Sequence, residues 1–275
     1  MNYTQYFKKC KTKYEDEMKL DSHPKLDTFY EDTVQRAPTE TFLDWEDNIY
    51  KIKAEVKTWF DDNPDNVFAK YPNIFDFKEE LDGIAGQLVP WLERNIYGCY
   101  LYVDKIYIYR TAPVDERVSS YVWHYDNNPY EIVKSIIYLT DVIDDGHSPF
   151  DYLIDGVDGK GVIFPGEISD RPIRTGEGQW DNDGSRVNEE VEFMIENYNY
   201  KSNKIYGGVG TTTIFNCDTI HRTNPVKSGY RDVVNIRVKP TLNPAPAYIG
   251  ENYTTSFESN GIVNINPELA WTELI

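Results

Sequence analysis

The chain reads His124-Tyr125-Asp126 near its middle and, far downstream, His221 followed ten residues later by Arg231. Two imidazoles and one carboxylate on one face of a metal leave the opposite positions open, a ligand set suited to non-haem Fe(II) that must also admit a co-substrate and O2. A planar guanidinium grips a carboxylate through two parallel hydrogen bonds, so an arginine beside such a metal suits the far end of a dicarboxylate.

The bare triplet carries little weight, because four histidines and 46 acids among 275 residues produce about 0.7 His-x-acid triplets by accident. A basic residue at one fixed distance after a given histidine arises by chance roughly one time in ten. The context says more. In a strand, successive side chains alternate faces, so Val122, His124 and Asp126 point one way while Trp123 and Tyr125 point the other. His221 follows a strand pattern, Thr211 to Cys217, and the short turn Asp218-Thr219. On the next strand Arg231, Val233, Asn235 and Arg237 share a face, which directs one or both arginines into the same cavity.

The elements that must position these residues follow from periodicity. Phe42, Trp45, Ile49, Ile52, Val56 and Trp59 form one stripe of an amphipathic helix, with Thr41 and Asp44 resembling a capping box. Phe77, Leu81, Ile84, Leu88 and Leu92 repeat the pattern, with Asp76 as the expected cap, Pro90 as a kink point and Gly98 as the stop. After Gly98 the texture turns to strands at Cys99 to Tyr109, Tyr121 to Trp123, Ile132 to Thr140, Gly161 to Phe164, Thr211 to Asn216 and Arg231 to Lys239. Turns rather than helices separate most of them, which predicts an antiparallel barrel or double sheet. Glu189 to Asn197 reads as a short inserted helix, and Asp181 to Ser185 as a loop.

Composition bounds the rest. With 40% hydrophobic and 15% aromatic residues, the chain can bury the core of one large domain. A net charge of -18 opposes sequence-independent nucleic-acid binding, which needs a basic surface. Cys10, Cys99 and Cys217 are too few and scattered for a disulfide framework, the pattern of a reducing cytoplasm. No stretch reads as a signal peptide or membrane span. His147 in Asp144-Asp145-Gly146-His147 and His23 before Pro24 read as solvated histidines, and Cys217 as a small core residue.

Between Cys99 and Pro240 the sequence resembles the Fe(II)/2-oxoglutarate-dependent dioxygenases, and within them the phytanoyl-CoA-dioxygenase-like group. The phrases that carry the likeness are Trp123-His124-Tyr125-Asp126, Lys134 through Ile137-Tyr138-Leu139-Thr140-Asp141-Val142 with Gly146 following, Ile214-Phe215-Asn216 to Ile220-His221-Arg222, and Gly229-Tyr230-Arg231. The resemblance implies a mainly β fold with a helical buttress (α+β): a double-stranded β-helix, the cupin-like jelly roll. It assigns residues 99–240 to that core, with an insertion at about 151–207 holding lid and substrate-facing loops, 1–98 to the buttress and 241–275 to a C-terminal extension. It implies His124, Asp126 and His221 as iron ligands and Arg231 as the partner of the C5 carboxylate of 2-oxoglutarate, with Arg237 in reserve.

Fe(II), 2-oxoglutarate and O2 are then the expected cofactors, and hydroxylation of a small organic molecule, with succinate and CO2 as co-products, the expected reaction. Related halogenases lack the carboxylate ligand, so Asp126 argues against halogenation. Two other classes stay open: a cupin-like metal-binding protein without turnover, and an oxygenase acting on a protein side chain.

Overall fold

The computed structural model describes residues 2–19, 33–64, 68–113, 119–126, 128–129, 131–164, 186–245, 248–249, 253–256 and 262–265. In chain order the elements are α1 (Tyr3–Met18), β1 (Val34–Arg36), α2 (Trp45–Asp62), β2 (Phe68–Lys70), α3 (Lys78–Leu92), β3 (Tyr100–Thr111), β4 (Val133–Tyr138), β5 (Phe150–Asp155), α4 (Asn188–Asn197), β6 (Tyr200–Ile205), β7 (Thr212–Asn216), β8 (His221–Thr223), β9 (Arg231–Thr241), β10 (Tyr253–Ser256) and β11 (Ile262–Ile265). A large antiparallel sheet runs β1-β7-β4-β9-β3-β11-β10, with β2 also paired to β3, and a smaller sheet runs β6-β5-β8. This is the double sheet that the strand pattern predicts, in the double-stranded β-helix form that the resemblance implies.

The large sheet has two chemically different faces. Val133, Ile137, Leu139, Ile214, Val234, Ile236 and Val238 belong to one core cluster with the stripes of α1, α2 and α3. Side chains of opposite parity, among them Lys134, Ile136, Phe215 and Asn235, face a cavity on the other side. Period-two alternation therefore separates a helix-covered core from a functional face. In β3 the parity switches: the pairing with β9 slips between Val103 and Lys105, so Leu101 and Val103 face the helices before the irregularity and Ile106 and Ile108 after it. Asp104 is the extra residue of this β-bulge, and the bulge turns Lys105, Tyr107 and Tyr109 toward the other side.

The helical stripes largely follow the sequence, with Trp45, Ile49, Ile52 and Val56 buried on α2 and Leu81, Ile84, Leu88 and Leu92 on α3, but Phe60 rather than the half-buried Trp59 ends the first stripe, and Phe42 and Phe77 lie in the turns before the helices. The caps differ. Asp44 adopts a left-handed conformation (φ 52°) with no side-chain capping bond, and Thr41 Oγ1 instead donates to the Pro38 carbonyl at 2.8 Å. Asn73 caps the 3-10 turn before α3, while Asp76 accepts from Tyr71 and Asn73. α3 runs through Pro90 to Leu92, then widens into a π turn closed by Gly98 at φ 63°.

Four further differences concern elements. α1 is an amphipathic helix opened by an Asn2/Gln5 capping box, with Tyr3, Tyr6, Phe7, Cys10 and Tyr14 buried. Its polar average hides a stripe at helical spacing. Ser119–Tyr121 is a 3-10 turn rather than a strand, and Gly161 and Ile163 make only isolated bridges. Within the segment read as an insertion, β5 and β6 pair over six residues and form the body of the small sheet. Asp181 to Ser185 and His23 lie outside the described residues.

Candidate active site

His124 and His221 are brought together by main chain. The His124 amide donates to the His221 carbonyl at 3.0 Å and the His221 amide to the His124 carbonyl at 2.8 Å. This bridge lies at the start of β8, which pairs with β5 through Tyr152–His221. The Asp126 amide donates to the Cys217 carbonyl at 2.8 Å, fixing the third residue against the end of β7. Alternation holds across the triplet: Trp123 and Tyr125 pack with Leu153, Val187, Val191 and Ile220 on the far side, while His124 and Asp126 line the cavity with His221.

One donor atom from each of His124, Asp126 and His221 lies within 4.8 Å of the others. His124 Nδ1 lies 2.9 Å from the Val122 carbonyl and His221 Nδ1 2.7 Å from the Thr219 carbonyl. Each Nδ1 therefore carries the proton, and each Nε2 presents a lone pair to the cavity, the tautomer a metal requires. Burial pushes His124 down to about 3, with His221 adding to the shift, and burial likewise lowers His221. Both rings are thus neutral at physiological pH, and the 3.9 Å approach of His221 Nε2 to Asp126 Oδ2 is a convergence of two donors rather than an ion pair. Burial alone would raise Asp126, but the Lys134 ammonium, which also hydrogen-bonds it, holds it below the usual carboxylate range. Two neutral imidazoles and an ionised carboxylate suit a divalent metal.

The cavity occupies about 290 Å3 between the two sheets. Lys70, Tyr107, Tyr109, Lys134, Ile136, Phe215 and Asn235 come from the large sheet, and Phe150, His221 and Thr223 from the small one. The small sheet is braced from beneath by Asp151, fully buried, which accepts from Ser202 at 2.5 Å, Arg222 at 2.9 Å and Asn224 at 3.0 Å.

Arg231 is fully buried at the first position of β9. Its Nη1 donates to the Ser148 carbonyl at 2.6 Å, and Nη2 lies 3.4 Å from both the Tyr109 hydroxyl and Thr223 Oγ1, two cavity-lining residues. Its Nε has no partner, and no carboxylate among the described residues pairs with it. A buried guanidinium that lacks an anion costs free energy unless a ligand supplies one, so Arg231 fits the far carboxylate of a diacid.

Arg237 does not share that freedom. Its Nε donates to Asp104 Oδ2 at 2.6 Å and its Nη1 to Asn128 at 3.3 Å, and Lys239 sits 3.2 Å from the same carboxylate oxygen. The β-bulge at Asp104 supplies the anion that removes Arg237 from the reserve role.

No family model matches the sequence, and no curated protein matches it. Solved structures do. EctD from S. alaskensis with bound Fe aligns at a TM-score of 0.51 and 12% identity over 80% of this chain and 79% of that one. AviO1 from Streptomyces viridochromogenes aligns at 0.50 and 14% identity over 81% and 96%. The epimerase SnoN in complex with Fe3+, alpha ketoglutarate and nogalamycin RO aligns at 0.50 and 12% identity over 86% and 93%. The chain has the fold of the Fe(II)/2-oxoglutarate-dependent oxygenases. At such identities the likeness speaks for architecture, and the chemistry has to be argued from this chain's own residues.

Of the other residues singled out by sequence, His147 is half-exposed and its Nδ1 lies 2.8 Å from Asp144, away from the His-Asp-His cluster. Cys217 is a buried free thiol. Tyr138 is fully buried; its hydroxyl donates to the Ile205 carbonyl at 2.9 Å and accepts from the Phe150 amide at 3.0 Å, clamping the two sheets together. Sequence reasoning missed Lys70 and Lys134 as cavity residues; strand parity with Ile136 and Asn235 was the available signal for Lys134. No helix among the described residues is long and apolar enough to cross a membrane.

Proposed function

We propose that this protein is an Fe(II)- and 2-oxoglutarate-dependent dioxygenase that hydroxylates a small organic molecule and releases succinate and CO2. The observation that carries the reading is the conjunction, between the two sheets, of the His124/Asp126/His221 cluster with the buried Arg231, which no carboxylate among the described residues pairs. His124, Asp126 and His221 would hold the iron, and Arg231 the C5 carboxylate of 2-oxoglutarate. When bound, the iron and 2-oxoglutarate supply O2 activation coupled to decarboxylation and the delivery of one oxygen atom to a C–H bond.

The chain's own contribution is to bind, orient and exclude. The Val122 and Thr219 carbonyls fix the two imidazole tautomers. Ser148 fixes one arm of the Arg231 fork, and Tyr109 and Thr223 stand where they can add hydroxyl contacts to the diacid. Phe150, Phe215 and Ile136 give the cavity its apolar walls, which keep water from a reactive centre. A cavity of about 290 Å3 matches a metabolite rather than a folded protein surface.

The test is an anaerobic mixture of Fe(II) protein with 2-oxoglutarate, read by the metal-to-ligand charge-transfer band, followed by succinate formation in air with pooled metabolites. A band that disappears in Arg231→Ala, together with iron-dependent succinate formation lost in His124→Ala, is the expected result. Iron binding with no charge-transfer band would sink the co-substrate assignment and leave a cupin-like metal-binding protein.

A further inference from the structure

Lys134 stands in an unusual place for a buried cation. It lines the cavity with the three candidate ligands, its side chain is only 14% exposed, and its Nζ lies 2.6 Å from Asp126 Oδ2. That same oxygen is the one that His221 Nε2 approaches at 3.9 Å. Lys134 therefore bonds the very atom that faces the metal position. Asp126 is also the one carboxylate among the described residues that pairs with it.

Among the described residues the strand register offers Lys134 no second acid. On β9 it stands opposite Arg237 and on β7 opposite Phe215, and Arg237 in turn stands opposite Lys105 on β3. Lys134, Arg237 and Lys105 thus form a row of basic residues across three neighbouring strands. The one acid on the bulge, Asp104, is engaged by Arg237 and Lys239. A divalent ion held by His124, Asp126 and His221 would have to share the Asp126 carboxylate with the Lys134 ammonium. Like charges at such short range, in a site shielded from water, oppose each other strongly. An arriving anion relieves that opposition. The diacid anchored at Arg231 carries a second carboxylate at its metal end.

We propose that Lys134 is a second anion-binding residue of the cavity: it receives the metal-end carboxylate of the diacid and so makes metal and diacid bind cooperatively. The inference rests on the functional reading above. Without the diacid, Lys134 competes with the metal for Asp126. With the diacid bound, the ammonium has its own anion and Asp126 is released to the metal. Because linkage is reciprocal, the metal must strengthen diacid binding by the same factor that the diacid strengthens metal binding.

The experiment is a Co(II) binding isotherm, followed by the cobalt d–d absorption under argon, with and without 2-oxoglutarate, on wild type, Lys134→Met and Lys134→Gln. Circular dichroism identifies any variant that fails to fold, and the Gln variant keeps a polar head if the Met variant does not. For wild type, 2-oxoglutarate should tighten Co(II) about tenfold or more. For either folded variant, Co(II) alone should bind about tenfold more tightly than to wild type, with an enhancement by 2-oxoglutarate several-fold smaller than the one wild type shows. Variants that bind Co(II) like wild type and keep the full enhancement would overturn the role of Lys134 while leaving the oxygenase reading intact. A wild type that binds neither Co(II) nor 2-oxoglutarate would overturn the functional reading, and this inference with it.

Discussion

His124 and His221 are joined through their main chains, each amide donating to the other's carbonyl, and their rings lie 4.3 Å apart between centroids. The backbone pair sets the imidazoles side by side without requiring any contact between side chains. Replacing either ring leaves the bridge in place. His124→Ala and His221→Ala should therefore keep the wild-type circular dichroism spectrum yet weaken Fe(II) binding by more than the roughly 100-fold that loss of a mere supporting partner costs. Equilibrium dialysis under argon measures this. Metal affinity unchanged in both variants would remove these residues from the site.

Arg231, whose Nη2 reaches the cavity-lining Tyr109 and Thr223, tests the anchor of the diacid. A hydrogen bond to a charged group contributes about 1.5–3 kcal/mol, so losing a two-pronged fork should weaken 2-oxoglutarate binding on the order of 100-fold. Arg231→Lys retains charge but loses planarity, and is expected to recover only part of that loss. The anaerobic charge-transfer band against 2-oxoglutarate concentration reads both variants, while Fe(II) binding without 2-oxoglutarate should stay near wild type.

Arg237 is predicted to matter for stability. Removing it from its bond with Asp104 leaves a buried carboxylate with Lys239 as its remaining close cation. Breaking a buried pair from one side costs about 3–5 kcal/mol, and the residual lysine places Arg237→Met near the lower end. Urea denaturation should show this, and the double variant Asp104→Asn/Arg237→Met should regain much of the loss.

Glu93 gives a pH-dependent prediction. Burial pushes its carboxyl from the ordinary 4.5 up to about 7, against the lowering effects of the Leu101 amide bond and Arg94. The folded state thus holds a proton that the unfolded chain has already released between these values. Stability must fall as pH rises through that window, and the loss is complete above it. Glu93→Gln keeps an acceptor for the Leu101 amide, which donates to Glu93 at 2.8 Å, and removes the titrating group. Relative to wild type it should gain about 2 kcal/mol at pH 8, and the gain should shrink toward zero at pH 4. Melting curves across pH check the sign as well as the size.

Strictly local physics made much of this protein legible in its sequence. The stripes of α2 and α3 and the alternation of β9 are single-segment periodicities, and so is the common face of His124 and Asp126. Such patterns survive whatever the rest of the chain does. The chain's two-sheet architecture was foreseeable from strand composition and turn signals, with the family resemblance giving it a name.

Tertiary structure alone decided which charge meets which. Arg231 and Arg237 share one strand and one parity, and nothing within β9 says which of them is neutralised. A one-residue slip in β3, 133 positions away from Arg237, delivers Asp104 to it, while no carboxylate among the described residues pairs with Arg231. Likewise, the bond from Lys134 to Asp126 depends on a register between β4 and its neighbours. The helix α1 and the strand β6 were obscured because their polar averages look like loop, and β5 and β6 are held in place by each other across some fifty residues of sequence. A buried charge is stable only beside its counter-charge, so the identity of each pair is a property of the folded packing. The residue types that make pairing possible are fixed earlier, in the chain itself.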